Sequence, residues 1–166
     1  LEQLRQGAAA DPRRILRLTA SRVVREDAVQ WHQLVRHWPM HLAAQLQAPT
    51  QTRLIGPTGA VLLQPLEAEP ARGQLVALLE TYLSSLGQLP PLACKTAFAW
   101  LNEARDLQQT YEGGYQHSGE IDDHPAYARF WPTWARLQAD AGFAALTDRL
   151  YRPLFEAAIE QEGLAS

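Results

Sequence analysis

His37 and His41, four residues apart, come nearest to a metal-ligating spacing in this 166-residue sequence, since positions i and i+4 of a helix can turn two imidazoles toward one ion. A zinc site needs a third and usually a fourth ligand. His32 lies five residues before His37, and Trp38 stands where a zincin helix carries Glu. The pair reads as structural, and no metal is expected. Asp122-Asp123-His124 could hold a divalent ion or act as an acid/base pair, but the block stands directly before Pro125. Acids there favour a helix N-terminus, and Asp is a preferred cap, so this block also reads as structural. Gly113-Gly114-Tyr115 with Gly119 matches neither a phosphate-binding P-loop nor a dinucleotide fingerprint and is read as a turn. No Ser or Cys sits in a nucleophile elbow. Cys94, the single cysteine, can form neither an internal disulfide nor a zinc knuckle, and is expected to be a buried small hydrophobe. No catalytic residue and no cofactor is expected.

Cationic chemistry is better represented. Arg13, Arg14, Arg17, Arg22 and Arg25 place five guanidiniums within thirteen residues, enough to neutralise several phosphates with bidentate geometry. They are the candidates for DNA contact; the alternative is a charged solvent face partly offset by Glu26 and Asp27. The overall charge of -3 argues against a nucleic-acid binder, but it conceals a split. Residues 1–66 carry eight Arg against four acids, and residues 67–166 carry six Arg and one Lys against fourteen acids. The two halves are expected to face different partners, or each other.

The elements that must position these groups can be read from periodicity. Arg13 to Ser21 alternates and is β-compatible, predicting a strand; Leu1–Gln6 alternates weakly and would pair with it through a Gly7–Pro12 loop. Trp31, Leu34, Val35, Trp38, Leu42 and Leu46 predict a long amphipathic helix from Glu26 to about Gln47, kinked near Val35–Trp38 by Pro39. Thr52–Ile55 and Ala60–Leu63 flank Gly56-Pro57-Thr58-Gly59 as a β-hairpin. A helix from Pro70 to Gly87 carries Leu75, Leu78, Leu79, Tyr82 and Leu86 as one apolar stripe, read as core. Another is expected from Thr96 as N-cap to Gly113, with Phe98, Leu101, Ala104 and Leu107 inward, and the tail from Pro125 reads as short helices punctuated by Pro132, Gly142 and Pro153. The length and the 46% hydrophobic content suit one domain over residues 1–166. With no apolar run near 18 residues, no leader, and Leu1 at the start, the chain is expected to be a cytoplasmic fragment of a longer subunit, away from membranes.

Three stretches carry a family likeness in their order and spacing. The first is the helix Trp31 to Leu42 after the strand ending Thr19-Ala20-Ser21; the second is Thr52–Gly56 through Pro65-Leu66 into the Gln74–Tyr82 helix. The third joins Leu89–Ala97, Tyr111–Tyr115 with Gly119-Glu120, Pro125–Arg129 and Arg149–Leu154. Together they resemble the C-terminal end of the RecC (gamma) subunit of exodeoxyribonuclease V, the RecBCD helicase–nuclease. The resemblance implies an α/β (α+β) domain, a degenerate PD-(D/E)XK nuclease-like fold with a small sheet, several flanking helices and a helical C-terminal half. It implies a place in DNA repair beside RecB-type and RecD-type subunits, where such a domain helps divide duplex DNA into single strands. Its first strands would precede Leu1.

An active nuclease of that type needs an acid, then acid-x-Lys on a central strand, because carboxylates must hold Mg²⁺ beside a cation. The only lysine is Lys95, with Ala93 two residues before it, and Arg17-Leu18-Thr19 stands on the strand aligned with the metal-binding one. The chain is therefore expected to be no enzyme. Two functions then compete: a non-catalytic DNA-handling module, and a stand-alone protein-interaction module that docks a partner through exposed Phe130, Trp131 and Trp134, aromatics being usual interface anchors.

Overall fold

The computed structural model describes residues 3–5, 12–115, 117–157 and 159–162. In chain order the elements are β1 (Gln3–Arg5), β2 (Arg13–Leu18), β3 (Val24–Arg25), β4 (Ala28–Val29), α1 (Trp31–Leu34), a 3-10 turn (Val35–His37), α2 (Trp38–Gln45), β5 (Thr50–Gly56), β6 (Gly59–Leu63) and α3 (Ala68–Ser85). Then come α4 (Cys94–Leu101), α5 (Leu107–Glu112), β7 (Gly113–Gly114), β8 (His117–Ser118), α6 (Glu120–Asp123), α7 (Pro125–Phe130), α8 (Trp134–Gln138), α9 (Ala141–Leu150), α10 (Arg152–Glu156) and β9 (Ile159–Glu162). The chain is mixed α/β, as expected, with small sheets and flanking helices. It divides into two compact units, Leu1–Glu80 with Glu156–Ser166, and Thr81–Phe155. No helix among the described residues is long and apolar enough to cross a membrane.

The first unit holds a five-stranded sheet in the order β1-β2-β5-β6-β9. The expected pairing of the N-terminal strands is present, β1 antiparallel to β2 with Leu4 opposite Ile15; the Gly7–Pro12 connection lies, Pro12 apart, outside the described residues. β2 then pairs parallel with β5, Arg17 opposite Leu54, and β5 pairs with β6 as the expected hairpin, Gly56 opposite Gly59. A parallel pair needs a crossover connection, and here it contains the β3–β4 hairpin, α1 and α2. The long helix expected from Glu26 is corrected by that hairpin. Glu26 and Asp27 adopt φ of 50° and 58°, the left-handed region that the central residues of a tight hairpin turn require, and helix begins only at Trp31. The kink is where it was expected: the ladder tightens to a 3-10 turn at Val35–His37, and Pro39 falls in the first turn of α2, where its missing N–H costs little.

α2 is held to the sheet by polar groups inside an apolar contact. His41 and Gln45 are buried with Trp38 and Leu42. The Gln45 side chain donates to Thr50 O at 2.7 Å and accepts from Thr50 N at 3.0 Å and Leu66 N at 3.2 Å, tying the start of β5 to the chain just past β6 on one amide at the open end of the hairpin. At the other end of the hairpin Gly56 is required by close approach, since a Cβ there would lie 2.5 Å from the carbonyl oxygen of Ser21.

α3 has the expected bounds but not the expected role. Leu79, Tyr82 and Leu86 are 60%, 61% and 69% exposed, and Val76 and Leu83 are exposed beside them, so the predicted core stripe is largely a surface.

The second unit packs Ala93, Ala97, Tyr111, Trp134, Leu137 and Phe143 into a core flanked by Trp100, Leu107, Ile121, Trp131 and Tyr151. The single helix expected from Thr96 to Gly113 is two helices. Glu103, at φ 52°, takes the left-handed position past the end of α4, while Glu103 N donates to Trp100 O and Ala104 N to Ala99 O. That is the Schellman arrangement, built on Glu where Gly is usual. Thr96 is not the N-cap either: Ala93 is, and Thr96 is buried inside the helix. The cap is supplied from a distance by Glu120, whose carboxylate accepts from Lys95 N, Thr96 N and Thr96 Oγ1, each at 2.8 Å. Other acids act similarly. Glu112 accepts from Trp134 N at 2.7 Å, and Asp140 from Gly142 N at 2.9 Å and the Trp131 indole at 3.0 Å. Part of the acidic surplus of this half is thus spent on helix N-termini, where negative charge is stabilising.

Candidate functional site

Alternation along β2 separates the arginines expected to act together. Arg13, Ile15 and Arg17 point to one face of the sheet and Arg14, Leu16 and Leu18 to the other. Arg22 follows the strand and is exposed; Arg25, on β3, is exposed and pairs with Glu26 at 3.3 Å. The series is therefore not one strip. Arg17 lies on the face covered by α2, where its Nη1 meets Met40 Sδ at 2.9 Å. It sits near the C-terminal end of a strand interior to the sheet, between antiparallel β1 and parallel β5.

The charges of Arg17 and of Arg36 both act on His37 of the 3-10 turn, an association not singled out from the sequence. His37 is buried, and its pKa lies below the usual histidine value, first through burial and then through the guanidiniums of Arg17 and Arg36. Arg36 bridges to Ser21 Oγ and to Gln33 Oε1, and Ser21 N donates to Thr19 Oγ1 at 3.2 Å. Thr19 N in turn donates to Ile55 O at 2.9 Å, extending the parallel pairing past Leu18. A continuous chain of contacts thus links the end of β2, the loop after it and the 3-10 turn. No three His, Cys, Asp or Glu residues come together as a metal site among the described residues.

The other candidates separate on inspection. His41 is fully buried four residues from His37, with Nδ1 2.9 Å from Thr52 Oγ1 and its ring stacked on Trp38; burial pushes its pKa down to about 4. It is a neutral fastener between α2 and β5. Asp122 and Asp123 do not cap the Pro125 helix, whose N-cap is His124; they belong to α6, where Asp122 accepts from Gly119 N at 2.8 Å and Asp123 pairs with Lys95 at 2.7 Å. The Lys95 contact holds the Asp123 carboxyl below the usual range. Gly113-Gly114 forms β7, a turn-linked pairing with β8, as its turn chemistry suggested. Cys94 is half-buried rather than fully so, its thiol pushed up to about 12 by burial.

The aromatic trio is corrected by packing. Trp134 is 9% exposed and meets Phe143 edge-on at 5.3 Å, and Trp131 is half-buried against the same core with its indole bonded to Asp140. Phe130 alone of the three is an open surface group.

The family model described as the RecC C-terminal domain matches residues 1–105, which include β1 through α4. Tyr111–Tyr115, Pro125–Arg129 and Arg149–Leu154 lie beyond the matched residues. No curated protein matches the chain.

Proposed function

The chain belongs to the family of RecC C-terminal domains, and from that premise we propose that it is a non-catalytic DNA-handling domain of a RecBCD-type complex, with a degenerate PD-(D/E)XK nuclease-like fold. In this reading it supports separation of duplex DNA into single strands and docks against RecB-type and RecD-type subunits in the cytoplasm. It needs no cofactor. The reading is supported by Arg17, which lies on an interior strand, the one that the resemblance aligns with the metal-binding strand carrying acid-x-Lys in an active nuclease. A guanidinium repels a divalent ion and attracts a phosphate, so the same position favours holding the backbone over cutting it.

The docking component draws support from a second observation. Leu79, Tyr82, Leu83 and Leu86 leave α3 with an apolar exposed face, and surfaces of that kind mark interaction sites. It also keeps a runner-up in view, an interaction module without DNA contact. The assembled complex separates the two. An Arg17→Ala complex is expected to assemble normally, judged by size-exclusion chromatography, and to unwind a forked duplex more slowly than wild type. Normal assembly with unchanged unwinding would give the lead to the interaction module.

A further inference from the structure

An exposed helix face is ordinarily kept wet by charge, and that of α3 is not. Between Arg72 and Lys95 the only charged residue is Glu80. Over that stretch α3 buries Ala77, half-buries Leu75 and Leu78, and turns Val76, Leu79, Tyr82 and Leu83 to solvent. Leu86, also exposed, continues the row just past the helix, its N–H donating to Leu83 O. Val76, Leu79, Leu83 and Leu86 follow one another at steps of three, four and three residues. That is the heptad alternation, at which a straight row of side chains on one helix fits the gaps along a second helix beside it. The hydroxyls of Ser84 and Ser85 donate back to Thr81 O and Tyr82 O, so they bring no unsatisfied donor to the contact.

The size of the patch separates the occupants. Val76, Leu79, Tyr82, Leu83 and Leu86 together expose roughly 500 Å² of apolar surface, near the top of the range for the largest patch of an ordinary monomer. A stable interface between two proteins buries about 800 Å² on each side. A second copy of the chain docked through α3 alone falls short of that, and a row hardly longer than one heptad does not hold two helices by itself. A partner that also touches the chain elsewhere makes up the difference.

We propose that α3 docks one amphipathic helix of another subunit of the complex, packed lengthwise along Val76, Leu79, Leu83 and Leu86 with Tyr82 at the border. The proposal rests on the docking component of the reading above and deepens it by naming the element that binds. A charged side chain facing the row would be stripped of water opposite leucines, a cost that apolar residues do not meet. The partner helix therefore turns an apolar side to α3 and its polar side away.

The test uses the assembled complex. Leu79→Glu/Leu83→Glu is expected to leave the thermal midpoint of the chain unchanged and to weaken its assembly with RecB-type and RecD-type subunits on the order of tenfold or more, read by size-exclusion chromatography over a concentration series. Leu79→Ala, which adds no charge, should give a smaller loss in the same direction. Benzoylphenylalanine placed at Val76, Leu83 or Leu86 in turn should cross-link to one segment of one partner subunit, at sites three or four residues apart. Undiminished assembly of both variants overturns the proposal, as do cross-links scattered over several segments. A stable dimer of the chain alone that Leu79→Glu/Leu83→Glu dissolves makes a second copy the occupant and overturns it as well. Failure of the wild-type chain to assemble at all would instead remove the docking reading beneath it, and the unwinding of the Arg17→Ala complex judges DNA handling separately.

Discussion

Acidification should weaken the first unit through one side chain, His41. The ring is fully buried, bonded to Thr52 Oγ1 at 2.9 Å and stacked on Trp38 with centroids 5.3 Å apart, and its pKa falls from 6.5 to about 4. Burial penalises the imidazolium, so below pH 6.5 the unfolded chain takes up a proton that the folded chain refuses. Stability is therefore full above pH 6.5 and is lost as pH falls toward about 4. At about 1.4 kcal/mol per pK unit, roughly 2 kcal/mol should be gone by pH 5, before most carboxylates titrate, and about 3 kcal/mol below pH 4. His37, also lowered by burial, adds in the same direction. Urea denaturation between pH 7.5 and 5, with NMR titration of the His41 ring, measures both quantities. His41→Gln should lower the stability at pH 7.5 and flatten most of the slope. A His41 midpoint near 6.5, or an unchanged slope in the variant, would refute the packing of α2 on β5.

Glu120→Ala removes the acceptor of two backbone N–H groups and one hydroxyl at the start of α4, and should cost about 3–5 kcal/mol by chemical denaturation of the second unit, with Glu120→Gln costing less. Leu63→Ala, in a strand whose five residues are all buried, should cost about 2–5 kcal/mol, whereas Leu79→Ala should stay within about 1 kcal/mol; equal losses in thermal melts would contradict the exposure of α3. Incubation with Mg²⁺ or Mn²⁺ should leave single- and double-stranded DNA intact, and cleavage abolished by substituting one acidic residue would overturn the proposal that the domain is non-catalytic.

Elements with local punctuation were legible in the sequence. Gly56-Pro57-Thr58-Gly59 between β-prone runs gave the β5–β6 hairpin, and Pro70 with Gly87 gave the limits of α3 to within two residues. Breaks made by residues of the wrong type were not. Glu26-Asp27 turns a hairpin and Glu103 closes a helix in left-handed conformations usually given to Gly or Asn, so periodicity ran straight through both. Apolar periodicity identified α3 as a helix but could not tell a core face from an uncovered one, and it could not tell that Trp134 turns inward. The candidate site was half legible. Arg17 could be put on a strand from the alternation after Arg13, but that its charge and that of Arg36 act on one imidazole follows only from the crossover. No spacing rule connects residues nineteen apart in that way.

The central claim is that positive charge on the α2-covered face of β2 holds DNA where a nuclease would cut it, and the salt dependence of forked-duplex binding by the assembled complex tests it most directly. Arg13→Ala/Arg17→Ala should weaken binding for all sequences alike and lower the slope of log K against log salt by about one unit per lost phosphate contact. Arg14→Ala, on the opposite face, is the control and should leave the slope unchanged. An unaltered affinity and slope in the double variant would contradict the account, leaving these arginines as a solvated face or a subunit contact.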